Sequence, residues 1–183
     1  SATLVTSGPA ARVYLDYAGF APVDPRVVAF MRPFLEGGVG NPSAPHSLGG
    51  EAQESLEAAR AKVSRLFGGF PSGLIFTSGA TESNNLGVKG VALRAGEKGR
   101  HVITSAIEHI SVLNTCRDLE KRGFDVTYLP VDGEGRVDVR ALRMAIRPDT
   151  VLVSIMAASG EIGTVQPVGE IGRIVRERGV PFG

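Results

Sequence analysis

Tryptophan is absent from this 183-residue chain, cysteine occurs once and histidine three times. One cysteine excludes an intrachain disulfide framework and suits a reducing compartment, so a cytoplasmic location is expected. No apolar run approaches the length of a membrane span. The segment Ser1 to Ala11 has no basic stretch followed by a long apolar one, so no signal peptide is expected there. Charge of neither sign prevails: 20 basic against 19 acidic residues leave a net +1. That balance speaks against nucleic-acid and membrane-surface partners, which need a basic excess. No paired ligands at zinc spacing occur, and His109 with Cys116 is wrongly spaced, so no metal site is expected. Neither a Walker-type Gly-Lys-Ser/Thr nor a dinucleotide glycine fingerprint follows any predicted strand.

What the chain does have is glycine, 24 residues of it, and 43% hydrophobic residues, enough for one sizeable core. Asp24-Pro25 predicts a helix start, continued by Val27, Val28, Met31 and Leu35 and closed by Gly37-Gly38. A loop is expected over Gly40 to Gly50. A second helix follows through Ala52, Leu56, Ala59, Val63 and Leu66, with Glu51, Glu54 and Glu57 early and Lys62 and Arg65 late, an order that suits the helix dipole.

From residue 74 the pattern becomes a regular alternation. Strands are expected at Leu74–Thr77, His101–Ser105, Asp125–Pro130 and Val151–Met156, and helices over 81–94, 110–122, 138–146 and 167–178. Continuously apolar strands separated by helices predict an α/β fold: a mostly parallel sheet with helices on both faces. Residues 1–70 lack this rhythm and read as an N-terminal arm with two helices, and 71–183 as an incomplete α/β domain.

Ligands of such sheets gather at the carboxyl ends of the strands. Three strand ends carry unusual residues: Ser78-Gly79-Ala80-Thr81, Ser105 to His109, and Ala157 to Thr164. Gly79-Ala80-Thr81 reads either as a phosphate seat, built from helix-start amides and a hydroxyl, or as an ordinary helix cap. His109 opens a helix, either against a planar ligand or as a capping residue. His46 lies in the glycine-rich loop and touches either a substrate or water. Cys116 shares a helix face with Val112, Leu113 and Leu119, which marks it as a small buried hydrophobe rather than a nucleophile.

Taken in order, Tyr14-Leu15-Asp16, Pro22-Val23-Asp24-Pro25, Gly40-Asn41-Pro42-Ser43, Phe76 to Asn85, Ile107-Glu108-His109, Val112 to Cys116, Tyr128 to Asp132, Arg147 to Thr150 and Glu161 to Pro167 resemble the cysteine desulfurases of the class V aminotransferase group. The resemblance runs from about residue 13 to 182. It implies a fold-type I pyridoxal-phosphate enzyme, of which this chain is the N-terminal part. It implies desulfuration of L-cysteine to L-alanine, with persulfide sulfur passed to an acceptor protein for iron–sulfur clusters or other uses. Neighbouring activities are another class V reaction, or selenocysteine lysis.

By the same resemblance Gly79, Ala80 and Thr81 hold the cofactor phosphate, and His109 stacks on the pyridine ring and assists proton transfer. Gly160 stands where the family commonly has an asparagine that contacts the cofactor's phenolic oxygen. The chain also has Ala18-Gly19-Phe20-Ala21-Pro22 where the family favours Ala-Ala-Thr-Thr-Pro. The family's pyridinium-pairing aspartate, covalent lysine, catalytic cysteine loop and substrate-binding arginine all belong beyond this segment. The chain alone is therefore expected to bind pyridoxal phosphate weakly and without a covalent bond. It is expected to work as a homodimer or with a completing second polypeptide, or else to serve as an inactive scaffold or half of a split enzyme. Apolar strand faces such as Val151 to Met156 are expected to lack full cover in it.

Overall fold

The computed structural model describes residues 4–5, 12–37 and 40–183, so Gly38 of the expected Gly37-Gly38 stop and most of Ser1 to Ala11 lie outside the described residues. The chain divides into two compact units, residues 1–76 and 77–183.

In the first unit, β1 (Leu4–Val5) and β2 (Arg12–Val13) pair antiparallel. Helix α1 (Pro25–Leu35) starts where the sequence placed it: the Asp24 carboxylate accepts the Arg26 N–H at 2.8 Å, and Pro25 takes the first position, where no N–H is needed. Helix α2 (Ser47–Leu66) starts four residues before Glu51, inside the expected loop. His46 is the reason. Its Nδ1 accepts the Gly49 N–H at 3.3 Å and caps the first turn, so its place is structural.

The expected strand Leu74–Thr77 does not form: a single 3-10 turn (Pro71–Gly73) is followed by residues that pair with no strand among those described. A strand exists only through a ladder partner. Here the Leu74 carbonyl takes the Arg60 guanidinium instead, and that guanidinium also lies 5.1 Å from the Phe76 ring centre.

The second unit alternates as expected: α3 (Ala80–Ala95), β3 (His101–Ser105), α4 (Ile110–Lys121), β4 (Asp125–Leu129), α5 (Val139–Ala145), β5 (Thr150–Ser154) and α6 (Val168–Glu177). The three strands form a parallel sheet in the order β4-β3-β5. Residues of the three strands enter two cores. Val102 and Leu152 meet Val88 and Ala92 of α3 and Val112, Cys116 and Leu119 of α4. Ile103, Leu129 and Val153 meet Leu142 of α5 and Ile171, Ile174 and Val175 of α6. Helices thus cover both faces, which is why apolar side chains of the sheet point to both sides.

The expectation that Val151 to Met156 lack cover is corrected: every residue of β5 is buried, and so is Ile155. Nor is β5 bare at its side. Pro181 to Gly183 run parallel to it, with the Val153 N–H on the Pro181 carbonyl at 3.0 Å and the Gly183 N–H on the Val153 carbonyl at 3.0 Å. Among the described residues no helix is long and apolar enough to cross a membrane.

Candidate active site

A cavity of about 490 Å3 opens at the carboxyl ends of β3 and β5. His109 and Glu108 line it from the β3–α4 turn, Met156, Ala157, Ala158 and Gly160 from the segment after β5, and Asn84 from α3. Parallel strands place their carboxyl ends together, so loops distant in sequence converge there.

Glu108 joins the two strand ends. Its Oε1 accepts the Ser105 hydroxyl at 2.8 Å and the Met156 N–H, also at 2.8 Å. Burial pushes its carboxyl above the usual carboxylate range, and those two hydrogen bonds oppose the rise. His109 caps α4 through Nδ1, which accepts the Ser111 N–H at 3.2 Å. The Ser111 hydroxyl lies 2.7 Å from the same nitrogen, and Asn84 Nδ2 donates to that hydroxyl at 2.8 Å. Asn84 therefore ties α3 to α4 beside the cavity.

Gly160 sits in a hairpin over 157–166. The Gln166 N–H donates to the Ala157 carbonyl and the Ser159 N–H to the Thr164 carbonyl, both at 2.9 Å. Gly163, at φ 74°, makes the turn a side-chain-free residue makes best. Buried Gln166 clamps this hairpin to the segment before α5, accepting the Val137 N–H at 2.9 Å and donating to the Gly135 carbonyl at 2.7 Å. Ala157, Ala158 and Gly160 offer no side-chain donor on their wall.

The structure brings His109 and Gly160 to one cavity; Gly79, Ala80 and Thr81 are not among its lining residues. They form the start of α3. Gly79 caps the helix without a side chain, so the first-turn amides receive no side-chain acceptor from it. Glu82 reaches back past them to the Ser78 N–H at 2.7 Å and its hydroxyl at 2.6 Å. One turn after Thr81 comes Asn84, the residue of α3 that does reach the cavity. Sequence reading assigned no part to Asn84, Ser111 or Gln166. A serine two positions after a helix-start histidine was the visible sign of the Ser111 contact.

Cys116 is fully buried and burial pushes its thiol up to about 11, in keeping with a core residue. Among the described residues no cluster of three or more histidine, cysteine, aspartate or glutamate side chains is arranged to hold a metal. No lysine lines the cavity, and Lys89 is paired with Asp118 at 3.0 Å.

The model of the aminotransferase class-V family matches residues 13–182. Cysteine desulfurase IscS of Dictyoglomus turgidum is 49% identical over 170 residues, which are 93% of this chain and 43% of that protein. Cysteine desulfurase IscS 1 of Archaeoglobus fulgidus is 50% identical over 165 residues, 90% of this chain and 43% of the relative. Among solved structures, SspA in complex with cysteine superposes with a TM-score of 0.87 at 43% identity, covering 92% of this chain and 49% of that one. A NifS-like protein gives 0.86 at 42% identity, over 90% of this chain and 46% of the other. The chain thus spans less than half the length of these relatives and corresponds to their N-terminal part. With a family match across nearly all of its residues and a fold shared with these solved structures, this chain belongs to the class V aminotransferases, a family of pyridoxal-phosphate enzymes.

Proposed function

We propose that this chain supplies the phosphate seat and one wall of the cofactor site of a cysteine desulfurase, which turns L-cysteine into L-alanine and passes its sulfur on as a persulfide. The observation that carries this reading is the meeting of His109 and Gly160 in one cavity at the strand ends, with the uncapped start of α3 one turn from Asn84. Two relatives named cysteine desulfurase and a neighbour solved with cysteine support the substrate.

The donor set suits pyridoxal phosphate in part. Helix-start amides at Ala80 and Thr81, with the Thr81 hydroxyl, match a dianionic phosphate, because the helix dipole and unpaired N–H groups favour negative charge there. His109 is the group set against the pyridine ring. The Ala157, Ala158 and Gly160 wall leaves the phenolic oxygen without a side-chain donor from this segment. A covalent anchor is missing, since no lysine lines the cavity. When bound, the cofactor supplies an electron sink for bonds broken at the substrate's α- and β-carbons. This chain's own residues bind the phosphate, orient the ring and hold a proton at His109. The lysine that completes the site comes from another segment or polypeptide. We place the enzyme in the cytoplasm, as a homodimer that hands sulfur to an acceptor protein for iron–sulfur cluster assembly or another sulfur-requiring route.

The test is alanine and sulfide formation from L-cysteine by the completed protein loaded with pyridoxal phosphate. Thr81→Ala removes one hydrogen bond to a charged group, worth about 1.5–3 kcal/mol, and so should weaken cofactor binding roughly ten- to a hundred-fold. An unchanged dissociation constant in a fluorescence titration removes Thr81 from the site. Absence of alanine formation with every natural thiol amino acid overturns the activity.

A further inference from the structure

His109 is exposed toward the cavity, yet its Nδ1 is committed to the protein. The Ser111 N–H, at 3.2 Å from Nδ1, is a donor and nothing else. At 3.2 Å this contact lies at the long end for an N–H donor and favours a bare Nδ1 only weakly, so the tautomer turns on a second, shorter donor. The Ser111 hydroxyl stands 2.7 Å from the same nitrogen and has a single hydrogen to give. Asn84 Nδ2 donates to that hydroxyl oxygen at 2.8 Å, which occupies a lone pair and turns the hydroxyl hydrogen toward Nδ1. Ser111 is buried, with 6% of its surface exposed, so water competes little for these contacts. The Ser111 hydroxyl and the Ser111 N–H then converge on Nδ1, and the ring proton of neutral His109 is left on Nε2.

We infer that Ser111, held by Asn84, is a positioning residue that sets His109 in its Nε2–H tautomer, so that His109 meets a ligand in the cavity as a hydrogen-bond donor. The importance of this for catalysis rests on the cofactor reading above; the tautomer itself does not. An oxygen or nitrogen acceptor on the bound molecule is the matching chemistry. Gly160 in the same cavity offers no competing side chain, and the carboxylate that lines it, Glu108, has its Oε1 turned to Ser105 and Met156.

The experiment is long-range proton–nitrogen NMR of the full chain with 15N-labelled histidine, without cofactor, at a pH where the ring is neutral. The three histidines are assigned by His109→Gln and His46→Gln. The parent and Ser111→Thr, which keeps the hydroxyl, should both show a bare Nδ1 and a protonated Nε2 at His109. In Asn84→Asp the carboxylate draws the serine hydrogen to itself, and in Ser111→Ala the hydroxyl is gone; a measurable fraction of the ring should then carry its proton on Nδ1. A merely structural serine would lower the melting temperature without moving the tautomer. A protonated Nδ1 in the parent overturns the inference, and so does an unchanged Nε2–H state in both altered variants. If Ser111→Ala does not fold, Asn84→Asp and Ser111→Thr decide alone. Failure to bind pyridoxal phosphate with the tautomer as stated would sink the cofactor reading and leave this one standing.

Discussion

The two units bury their apolar side chains to very different extents. Residues 77–183 enclose Ile103, Leu119, Leu142, Val153 and Ile171 completely, and helices flank a sheet on both sides. Residues 1–76 contribute one buried hydrophobe, Ala52, among the described residues, while Phe30 is 70% exposed, Phe67 83% and Phe70 81%. Both units contain amphipathic helices, so helix formation does not separate them. A sheet offers two faces against which helices can close, and the second unit has one; two helices and a two-stranded ribbon do not enclose a core of that kind. Exposed aromatic groups in such number need cover, which motivates the proposal of a homodimer or a completing polypeptide.

The largest effect that tests this contrast is truncation in the sheet core. Ile103→Ala should lose about 2–5 kcal/mol of unfolding free energy in urea titration, whereas Phe30→Ala in the chain by itself should change it by less than about 0.5 kcal/mol. Cys116 gives the readout specific to the second unit: buried and with its thiol pushed up to about 11, it should react with a disulfide reagent only as that unit opens. An equal loss for Phe30→Ala would mean that the first unit's apolar face is covered after all.

A second, smaller contrast lies in two glycines. Gly163→Ala forces a Cβ onto a residue at φ 74° and should cost about 1–2 kcal/mol, seen as a lower melting temperature. Gly50→Ala, inside α2 with nothing within 4 Å of the new methyl group, should raise stability by about 0.4–1 kcal/mol. If Gly50→Ala also destabilised, the surface around α2 would be occupied.

The smallest effect is on pH dependence and belongs to the second unit. His101 is buried between the Thr150 hydroxyl at 2.7 Å and the Thr127 hydroxyl at 2.8 Å, and burial first, then Arg147, hold its pKa below the ordinary histidine value. The unfolded chain therefore takes up this proton more readily. Stability at His101 is present above about 6.5 and is lost as pH falls through that value toward the lower folded-state pKa. Glu108 has the opposite sign: its raised pKa makes its contribution fall as pH rises above the ordinary carboxylate range. His101→Gln should flatten the slope of stability between pH 7 and 5.5 in urea titrations; a slope as steep as the parent's would assign the acid lability elsewhere.

Local chemistry was enough to read much of this. Asp24-Pro25 marks the start of α1 and the stretches rich in valine, isoleucine and leucine mark β3, β4 and β5, because a cap or a short hydrophobic stretch expresses its preference through immediate neighbours. His46 was legible as a loop residue but not as a cap, since capping by a histidine ring is uncommon and depends on its rotamer. The role of Glu108 was hidden because one of its two partners, Met156, lies 48 residues away.

The sequence by itself determined the alternation of strand and helix, the burial of Cys116 and the membership in a family whose motifs it carries, all properties of short range or of residue order. Tertiary structure decided that Leu74–Thr77 would not be a strand, that Asn84 would reach Ser111, 27 residues on, and through it His109, and that Gly160 would share the cavity of that histidine. Pairing across such separations depends on how the strands line up and on what each buried polar atom finds when water has left, and no window of neighbouring residues contains that information.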